Sequence, residues 1–288
     1  MTTAPGKDQA NTGPVSAAKR TVRRAYEVAG VVTSKHRVLP DYLIMGAQRC
    51  GTTSLQRLLC QHPSVKAPPF RKGVHYFDLR YQHDLHWYRG HFPIRRPGRD
   101  TVCGEASPFY LFHPLAPTRI AGDLPRVRLI VSLRDPVERA FSAYKQERYR
   151  GFEDLAFEQA LAAEPVRIAG ERERMLADPT YVSYALQHHA YRARGQYASQ
   201  VAHLFSLFGR ERVHVVDFGD LTDSPDRVWG PLCEFLGLEP WTPKTFPHGN
   251  ARPSADMDPL LRSALREDFV ESNQELAEML GWTPSWLH

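Results

Sequence analysis

One segment near the start of the chain, residues 42–54, most restricts the folds available to it. It reads Tyr-Leu-Ile-Met-Gly-Ala-Gln-Arg-Cys-Gly-Thr-Thr-Ser, which is an apolar strand, a loop framed by Gly46 and Gly51, and the first turn of a helix. Backbone N–H groups in such a loop, together with the positive end of the helix dipole, make a cradle for phosphate. The segment therefore predicts a strand–loop–helix unit that binds a phosphate group.

The loop has the glycine spacing of a nucleotide P-loop but not its key residue. A nucleoside-triphosphate P-loop follows its second glycine with lysine and then serine or threonine. Here Gly51 is followed by Thr52 and Thr53, and the basic residue, Arg49, lies inside the loop. This pattern favours a nucleotide whose transferred group is not a γ-phosphate on magnesium. An ordinary strand–helix turn is the alternative, because glycine-rich turns are common.

A second segment, residues 127–144, predicts another strand that runs directly into a helix. Asp135 and the proline after it suit the N-cap and the first helical position. Arg134 therefore lies where a strand ends and a helix begins, the usual ligand edge of an open α/β sheet. Ser142 is about two turns along the helix and can face the same way, so the two side chains could hold a second phosphate. The alternative is a surface ion pair for Arg134 and a solvated Ser142.

Strand-like and helical patterns alternate along the rest of the sequence. Strands are predicted near 42–46, 74–77, 101–104, 127–133 and 212–218. Helices are predicted near 52–61, 115–122, 136–150, 154–163, 180–193, 196–208, 225–236, 258–268 and 271–280. Strands separated by helices predict an α/β, three-layer, P-loop-like fold in which helices flank a mostly parallel central sheet. The charged segment 164–179 predicts a mobile insertion or a surface loop.

Composition restricts the class of protein. The chain has 288 residues, 42% of them hydrophobic, which is enough for one large core. No apolar run approaches the ~20 residues of a membrane span, and the N-terminus lacks a secretory signal. The four cysteines are scattered without a CxxC pair, so they indicate neither a metal site nor a disulfide framework. We therefore expect a cytoplasmic protein without a transmembrane segment and without a metal.

The net charge of +5 is concentrated at one end of the chain. Residues 1–40 hold seven Lys/Arg and two Asp/Glu, whereas the remaining residues hold 30 of each. We expect residues 1–40 to form a basic, partly disordered arm, with a short helix over 17–32, and residues 41–288 to form one folded domain. The balanced domain disfavours nucleic-acid binding. The arm either touches an acidic surface or only aids solubility.

Four segments in this order resemble the sulfotransferases that use 3′-phosphoadenosine 5′-phosphosulfate (PAPS), most of all the heparan sulfate and carbohydrate branch and its bacterial relatives. They are Gly46–Ser54, Lys72–Asp78, Glu105–Tyr110 and Arg134–Ser142. Three further segments have counterparts in that branch: Leu85–Pro93, Gly195–Tyr197 and Phe235–Leu238. The resemblance covers roughly residues 41–283, which makes residues 41–288 the sulfotransferase domain.

The resemblance implies a PAPS site made from three parts of the chain. The 5′-phosphosulfate end would be held by the loop residues Arg49, Cys50, Gly51, Thr52, Thr53 and Ser54. The 3′-phosphate would be held by Arg134 and Ser142, under a late loop composed of His248, Gly249, Asn250, Ala251 and Arg252. A basic side chain can stabilise the phosphate leaving group without a metal. Arg49, which stands where the family usually has lysine, is the candidate for that catalytic role.

The general base is the point at which the sequence departs from the family. The carbohydrate branch reads Lys-Glu-x-His-x-Phe, and its Glu deprotonates the acceptor hydroxyl. Gly73 occupies that position here, and Ala106 replaces a second family lysine. The candidates that remain are His75, placed two residues on in the predicted strand, and Glu105, with Asp78 as a group that orients His75 instead. The ordinary pKa of histidine suits general-base work at neutral pH.

These observations predict a sulfotransferase that moves a sulfuryl group from PAPS to a hydroxyl of a carbohydrate or small-molecule acceptor, with an amine as the second choice. Gly73 and Ala106 motivate one alternative, a catalytically weak or inactive protein that binds PAPS or its desulfated product. A P-loop kinase is the other alternative. Thr52 and the missing Walker-type carboxylate argue against it.

Overall fold

The structure is a computed structural model that describes residues 14–96, 98, 101–243 and 257–287. Five strands form one sheet in which every pair of neighbours is parallel, in the order β2-β3-β1-β4-β5. The strands are β1 (Tyr42–Gly46), β2 (Val65–Lys66), β3 (Val102–Ala106), β4 (Arg128–Leu133) and β5 (Val213–Asp217).

Helices connect the strands and cover the sheet. They are α1 (Pro14–Val32), α2 (Thr52–Leu59), α3 (Tyr76–Leu79), α4 (Leu85–Arg89), α5 (Ala116–Asp123), α6 (Pro136–Arg150), α7 (Phe157–Ile168), α8 (Glu171–Ala177), α9 (Tyr184–His188), α10 (Tyr197–Phe208), α11 (Asp220–Asp223), α12 (Pro225–Leu236), α13 (Pro259–Glu267) and α14 (Val270–Leu280). Among the residues described, none of these helices has the length and apolarity needed to cross a membrane.

The sheet separates two apolar cores, because successive side chains of a strand point to opposite faces. In β1, Leu43 and Met45 pack into one core with residues of α5, α10 and α14. Tyr42 and Ile44 pack into the other core with residues of α2 and α12. This gives a helix–sheet–helix arrangement of three layers, as the sequence predicts.

The central position of β1 determines where the site can form. Tyr42 is level with Gly104 of β3 on one side and with Arg128 of β4 on the other. The carboxyl ends of β3, β1 and β4 therefore lie next to one another, and the loops that follow them share one edge of the sheet. That edge is the usual ligand position in parallel α/β sheets.

Most elements lie where the sequence predicts them, and α6 and α12 begin and end at the predicted residues. The strand predicted over 74–77 is wrong. That segment turns into the short helix α3 after His75, whose φ of 55° is left-handed. Its backbone binds side chains rather than a neighbouring strand, since Val74 N–H donates to Glu105 and His75 N–H donates to Ser107. The two-residue strand β2 was missed, and most of segment 164–179 is helical rather than irregular.

The predicted basic helix near the N-terminus is present as α1, and it contacts the rest of the protein. Glu27 accepts from Arg71 at 2.7 Å, and Tyr26 lies edge-on to Phe70 with ring centroids 4.9 Å apart. Arg37 extends this contact by donating to the Tyr26 hydroxyl at 2.7 Å. The division of the chain into an arm and a domain remains a prediction.

Candidate functional site

The loop between β1 and α2 presents the start of α2 at the ligand edge of the sheet. Gly51 is the N-cap residue, with a left-handed φ of 69°. A Cβ atom built on Gly51 would lie 2.0 Å from the ring of Phe218, so no side chain fits there. The first N–H groups of α2, at Thr52, Thr53 and Ser54, have no acceptor within the helix. They are the groups that the sequence predicts to bind an anion.

Lys72 lies over this first turn of α2. Its Nζ is 3.0 Å from Thr52 Oγ1 and 3.0 Å from Thr53 Oγ1, so an ammonium from outside the loop donates to two hydroxyls of the loop helix. The carbonyl of Lys72 accepts from Ala106 N–H at the end of β3 (3.1 Å), which fixes its backbone. Sequence reasoning did not single out this residue. Two features of the sequence could have indicated it. The P-loop-like segment lacks the usual lysine, and Lys72 begins another of the segments that resemble the family.

The environment of Lys72 weakens its hold on its proton. Burial lowers the pKa of Lys72 to about 8, while the charge of Glu105 opposes this shift and the charges of Arg57 and Arg49 add to it. Lys72 is therefore still a cation at neutral pH and becomes neutral in mildly alkaline solution.

Arg49 contacts two residues of α6. Its backbone is left-handed, with φ 72°. Its Nε donates to Ser142 Oγ at 2.9 Å, and its guanidinium also donates to Gln146. We expected Arg49 at the 5′-phosphosulfate end and Ser142 at the 3′-phosphate. The structure brings these two residues together next to α6. The positive charge of Arg49 therefore lies beside Ser142, a residue predicted to bind the 3′-phosphate.

Arg134 follows β4 at the ligand edge, as predicted. Its carbonyl accepts from Tyr197 Oη (3.0 Å), which fixes the backbone where β4 leads into α6. Its guanidinium lies 3.8 Å from the Glu138 carboxylate and 5.8 Å from the centroid of the Phe218 ring. Glu138 also pairs with Arg262 of α13. An arriving phosphate would therefore compete with a carboxylate for Arg134.

Cys50 is bound within the protein through its side chain, its N–H group and its carbonyl. Its side chain is fully buried, and Sγ lies 3.6 Å from Tyr197 Oη. Burial raises the pKa of the Cys50 thiol, which makes it a poor nucleophile. Its N–H donates to Ala47 and its carbonyl accepts from Ser132 Oγ. These groups hold the loop together, and the predicted contact between Cys50 and the donor stays a prediction.

His75 and Asp78 form a hydrogen-bonded pair. His75 Nδ1 is 2.8 Å from Asp78 Oδ2, and the carboxylate is buried while 34% of the imidazole side chain is exposed. Burial lowers the pKa of His75, but the charge and the hydrogen bond of Asp78, helped by the charge of Glu105, raise it by more, so that the pKa is above its ordinary value. With Nδ1 bound to Asp78, Nε2 is the nitrogen that can take a proton from an acceptor.

Glu105, the other predicted base, is fully buried and surrounded by donors. Its carboxylate accepts from Val74 N–H (2.8 Å) and from three hydroxyls. The hydroxyls are Ser107 Oγ at 2.7 Å, Tyr110 Oη at 2.8 Å and Tyr88 Oη at 3.2 Å. Burial raises the pKa of Glu105, although its hydrogen bonds oppose the shift. The geometry does not support Glu105 as a group that contacts an acceptor; it positions the segment that carries Lys72 and His75.

Gly73, which occupies the family position of the catalytic Glu, has no room for a side chain. A Cβ atom built on Gly73 would lie 2.3 Å from the Ala106 carbonyl oxygen and 2.6 Å from Ser107 Oγ. The close packing of segment 72–75 on the end of β3 therefore requires glycine at this position. A glutamate at this position would therefore require the local backbone to move, and replacing the one residue would not be enough.

The late loop predicted to close the site, with His248, Gly249, Asn250, Ala251 and Arg252, lies outside the described residues. Within the described part of the chain, no three His, Cys, Asp or Glu side chains converge to hold a metal ion. The groups at the ligand edge are instead cations and hydroxyls, namely Lys72, Arg49 and Arg134 with Thr52, Thr53 and Ser142. This set fits a ligand with phosphate groups at two positions.

The chain is similar in sequence to sulfotransferases. The family model described as "Sulfotransferase domain" matches residues 39–245. The membrane-associated sulfotransferase kil1 of Dictyostelium discoideum is 24% identical over 321 aligned residues, which cover 88% of this chain and 68% of that protein. The heparan sulfate glucosamine 3-O-sulfotransferase 6 of Mus musculus is 32% identical over 208 residues, which cover 70% of this chain and 54% of that protein. The chain thus spans about half the length of the mouse relative.

A solved structure has the same architecture. A sulfotransferase from Alicyclobacillus acidocaldarius matches 87% of this chain and 100% of its own chain, with a TM-score of 0.69 and 32% sequence identity. The predicted fold class, with a parallel sheet between layers of helices, is therefore confirmed.

Proposed function

Because this chain belongs to the sulfotransferase domain family, we propose that it transfers a sulfuryl group from PAPS to a hydroxyl of a carbohydrate or small-molecule acceptor. The observation that carries the proposal is the pair of cation–hydroxyl groups at the ligand edge of the sheet. Lys72 with Thr52 and Thr53 lies at the start of α2. Arg49 with Ser142 lies toward α6. Two separated phosphate groups on one nucleotide match this arrangement.

Each group has a separate task in donor binding. The N–H groups at the start of α2 and the hydroxyls of Thr52 and Thr53 would bind the 5′-phosphate end. Arg134, Ser142 and Arg49 would bind the 3′-phosphate, with Arg134 leaving Glu138 to do so. PAPS, when bound, supplies the sulfuryl group and a phosphate leaving group, so that the chemistry needs positive charge at the site rather than a metal-bound triphosphate.

His75 is the proposed general base. Its Nε2 would accept the proton of the acceptor hydroxyl, while the hydrogen bond from Nδ1 to Asp78 holds the ring in place and stabilises the imidazolium that forms. Glu105 acts through the backbone, because it binds Val74 N–H and the Ser107 hydroxyl that in turn accepts from His75 N–H. An acceptor with an acidic hydroxyl, such as a phenol, would need the least help from His75.

A protein that binds PAPS but transfers slowly or not at all is the second candidate. The observation that favours it is the closed position at Gly73, which excludes the family's glutamate. The two candidates share the nucleotide site and differ in turnover. Transfer to any acceptor, lost in His75→Ala, would remove the second candidate.

Calorimetric titration tests the nucleotide site directly. Wild type and Arg134→Ala are titrated with 3′-phosphoadenosine 5′-phosphate (PAP) and, in parallel, with ATP and Mg²⁺. We expect micromolar binding of PAP that the variant loses, and weaker binding of ATP. Absence of PAP binding would overturn the proposal, and preference for ATP with Mg²⁺ would overturn it in favour of a P-loop kinase. A screen of hydroxyl and amine acceptors with PAPS then identifies the acceptor.

A further inference from the structure

We propose that Lys72 supplies the positive charge for the loop between β1 and α2, here called the donor loop, and that it binds the 5′-phosphate end of the nucleotide from outside that loop. This inference rests on the proposed function, since it concerns the same nucleotide. Lys72 would take the place of the lysine that a P-loop carries after its second glycine. The sequence of the loop itself, with Thr52 after Gly51, has no such residue.

The contacts of Lys72 place its charge at the anion-binding end of α2. Its Nζ is 3.0 Å from the hydroxyls of both Thr52 and Thr53, the first two residues of the helix. A phosphate on the N–H groups of this turn would lie beside the ammonium. An ammonium and a helix N-terminus acting on the same phosphate reinforce each other, because both present positive charge to it.

Arg49, the basic residue within the loop, is turned to a different part of the site. Its guanidinium binds Ser142 and Gln146 on α6. The two cations therefore have different partners, with Lys72 on the two threonine hydroxyls and Arg49 on α6. This separation gives each phosphate of an adenosine bisphosphate a cation of its own.

The backbone around Lys72 is held in a manner suited to a fixed binding group. Its carbonyl accepts from Ala106 N–H, and the next N–H groups, of Val74 and His75, donate to Glu105 and Ser107. Gly73 allows this approach because its missing side chain leaves room for the Ala106 carbonyl. The glycine that leaves no room for the family's glutamate therefore allows the backbone next to Lys72 to pack on the end of β3.

The charge of Lys72 depends on pH in a way that arginine does not. Burial lowers its pKa to about 8; of the charged groups that face it, Glu105 on β3 opposes the shift, and Arg57 on α2 and Arg49 in the loop add to it. A nucleotide that needs the ammonium should bind about tenfold more weakly at pH 9 than at pH 7. The 5′-phosphate is already a dianion across this range, and guanidinium groups stay charged.

The test compares two nucleotides by calorimetric titration of the full chain. PAP carries the 5′-phosphate, and adenosine 3′-phosphate lacks it. Lys72→Met should weaken PAP binding about 10- to 100-fold and change the binding of adenosine 3′-phosphate less than about threefold. Lys72→Arg should retain most of the PAP affinity and lose the decline between pH 7 and pH 9. Lys66→Met, a change at an exposed lysine on β2, is the matched control and should alter neither nucleotide.

The outcomes separate this inference from the proposed function. Wild type that fails to bind PAP overturns the proposed function and this inference with it. Two results would overturn the role of Lys72 alone while wild type still binds PAP. One is equal PAP affinity in Lys72→Met, and the other is the absence of a pH dependence that Lys72→Arg removes. If Lys72→Met does not fold, as judged by circular dichroism, the comparison of wild type with Lys72→Arg across pH decides.

Discussion

At the scale of single residues, a carboxylate surrounded by four donors has no free lone pair to offer an acceptor. Glu105 is in this position, between one N–H group and three hydroxyls. Glutamate is an uncommon choice for a site with no exposure, since its charge must be compensated entirely by hydrogen bonds. Its value here is that one side chain fixes segment 72–75 and the start of the loop after β3 together.

Because Glu105 holds the structure together rather than acting as a base, Glu105→Gln should lower the stability of the protein. The amide would turn two of its own donors toward groups that already donate, which we expect to lower the free energy of unfolding by about 1–3 kcal/mol. Urea denaturation measures the loss, with Glu158→Gln on the exposed face of α7 as the matched control. An unchanged unfolding curve combined with abolished transfer would instead support Glu105 as a catalytic group.

The His75–Asp78 pair makes a prediction about pH. Asp78 raises the pKa of His75, and a general base works only when deprotonated, so activity should rise as pH increases through that raised pKa. Asp78→Asn removes the raising charge; the rise in kcat/KM should move to lower pH, with a lower plateau. The measurement is a pH profile of kcat/KM with an acceptor that shows turnover.

His75→Asn serves as the reference variant for that profile, because asparagine tolerates the left-handed backbone of position 75. It should keep the fold and lose the pH-dependent rise. A profile that is the same in wild type and Asp78→Asn would contradict the pairing.

Sequence reasoning at this scale succeeded where a residue follows directly from its own segment. Arg134 was predicted at the end of a strand because apolar residues precede it and a capped helix follows. Lys72 was not, because its contact with Thr52 and Thr53 joins parts of the chain that are distant in sequence. The structural role of Glu105 was missed for the same reason, because its hydrogen-bond partners come from three separate segments.

At the scale of elements, the turn from β1 into α2 depends on one glycine. Gly51 combines a left-handed backbone with close contact to Phe218, the residue after β5. In Gly51→Ala, the added methyl group would be strained by the left-handed backbone and would clash with the Phe218 ring. The backbone conformation alone costs about 1–2 kcal/mol for a residue with a side chain, and the ring of Phe218 must also move. We expect lower stability and loss of PAP binding together, measured by thermal unfolding and calorimetric titration.

Gly122→Ala, near the end of α5, is the control for this change because no atom lies within 4 Å of an added Cβ there. It should leave nucleotide binding unchanged and stability the same or slightly higher. Full PAP affinity in Gly51→Ala would show that the loop tolerates rearrangement and that the fit around Phe218 is not required.

Helices and strands were predicted correctly where the local sequence pattern, and not tertiary contact, determines them. The strand before the donor loop, β1, is a continuous apolar run, and β4 is mostly apolar. Helices α6 and α12 have proline near the start and glycine after the end. The strand predicted over 74–77 failed because its aromatic residues are buried by tertiary contacts and not by strand pairing. The two-residue strand β2 carries no period that a sequence pattern could reveal.

At the scale of the whole molecule, the three layers follow from alternation of strands and helices, whereas the strand order does not. The order β2-β3-β1-β4-β5 puts the first long strand in the middle, between partners from later in the chain. This arrangement gathers the donor loop, Lys72, His75 and Arg134 at one edge although they come from three regions of the sequence. The contact of α1 with Arg71 and Phe70 was likewise outside what charge pattern alone could predict.

The central place of β1 also has a consequence for synthesis of the protein on the ribosome. Tyr42 is neighboured by Gly104 and Arg128, so β1 leaves the exit tunnel well before either of its partners exists. All five of its residues are buried in the finished protein, and until then they form an exposed apolar strand with open edges. The donor loop can acquire its shape only after β4 is translated, and in the interval β1 remains an unpaired apolar strand.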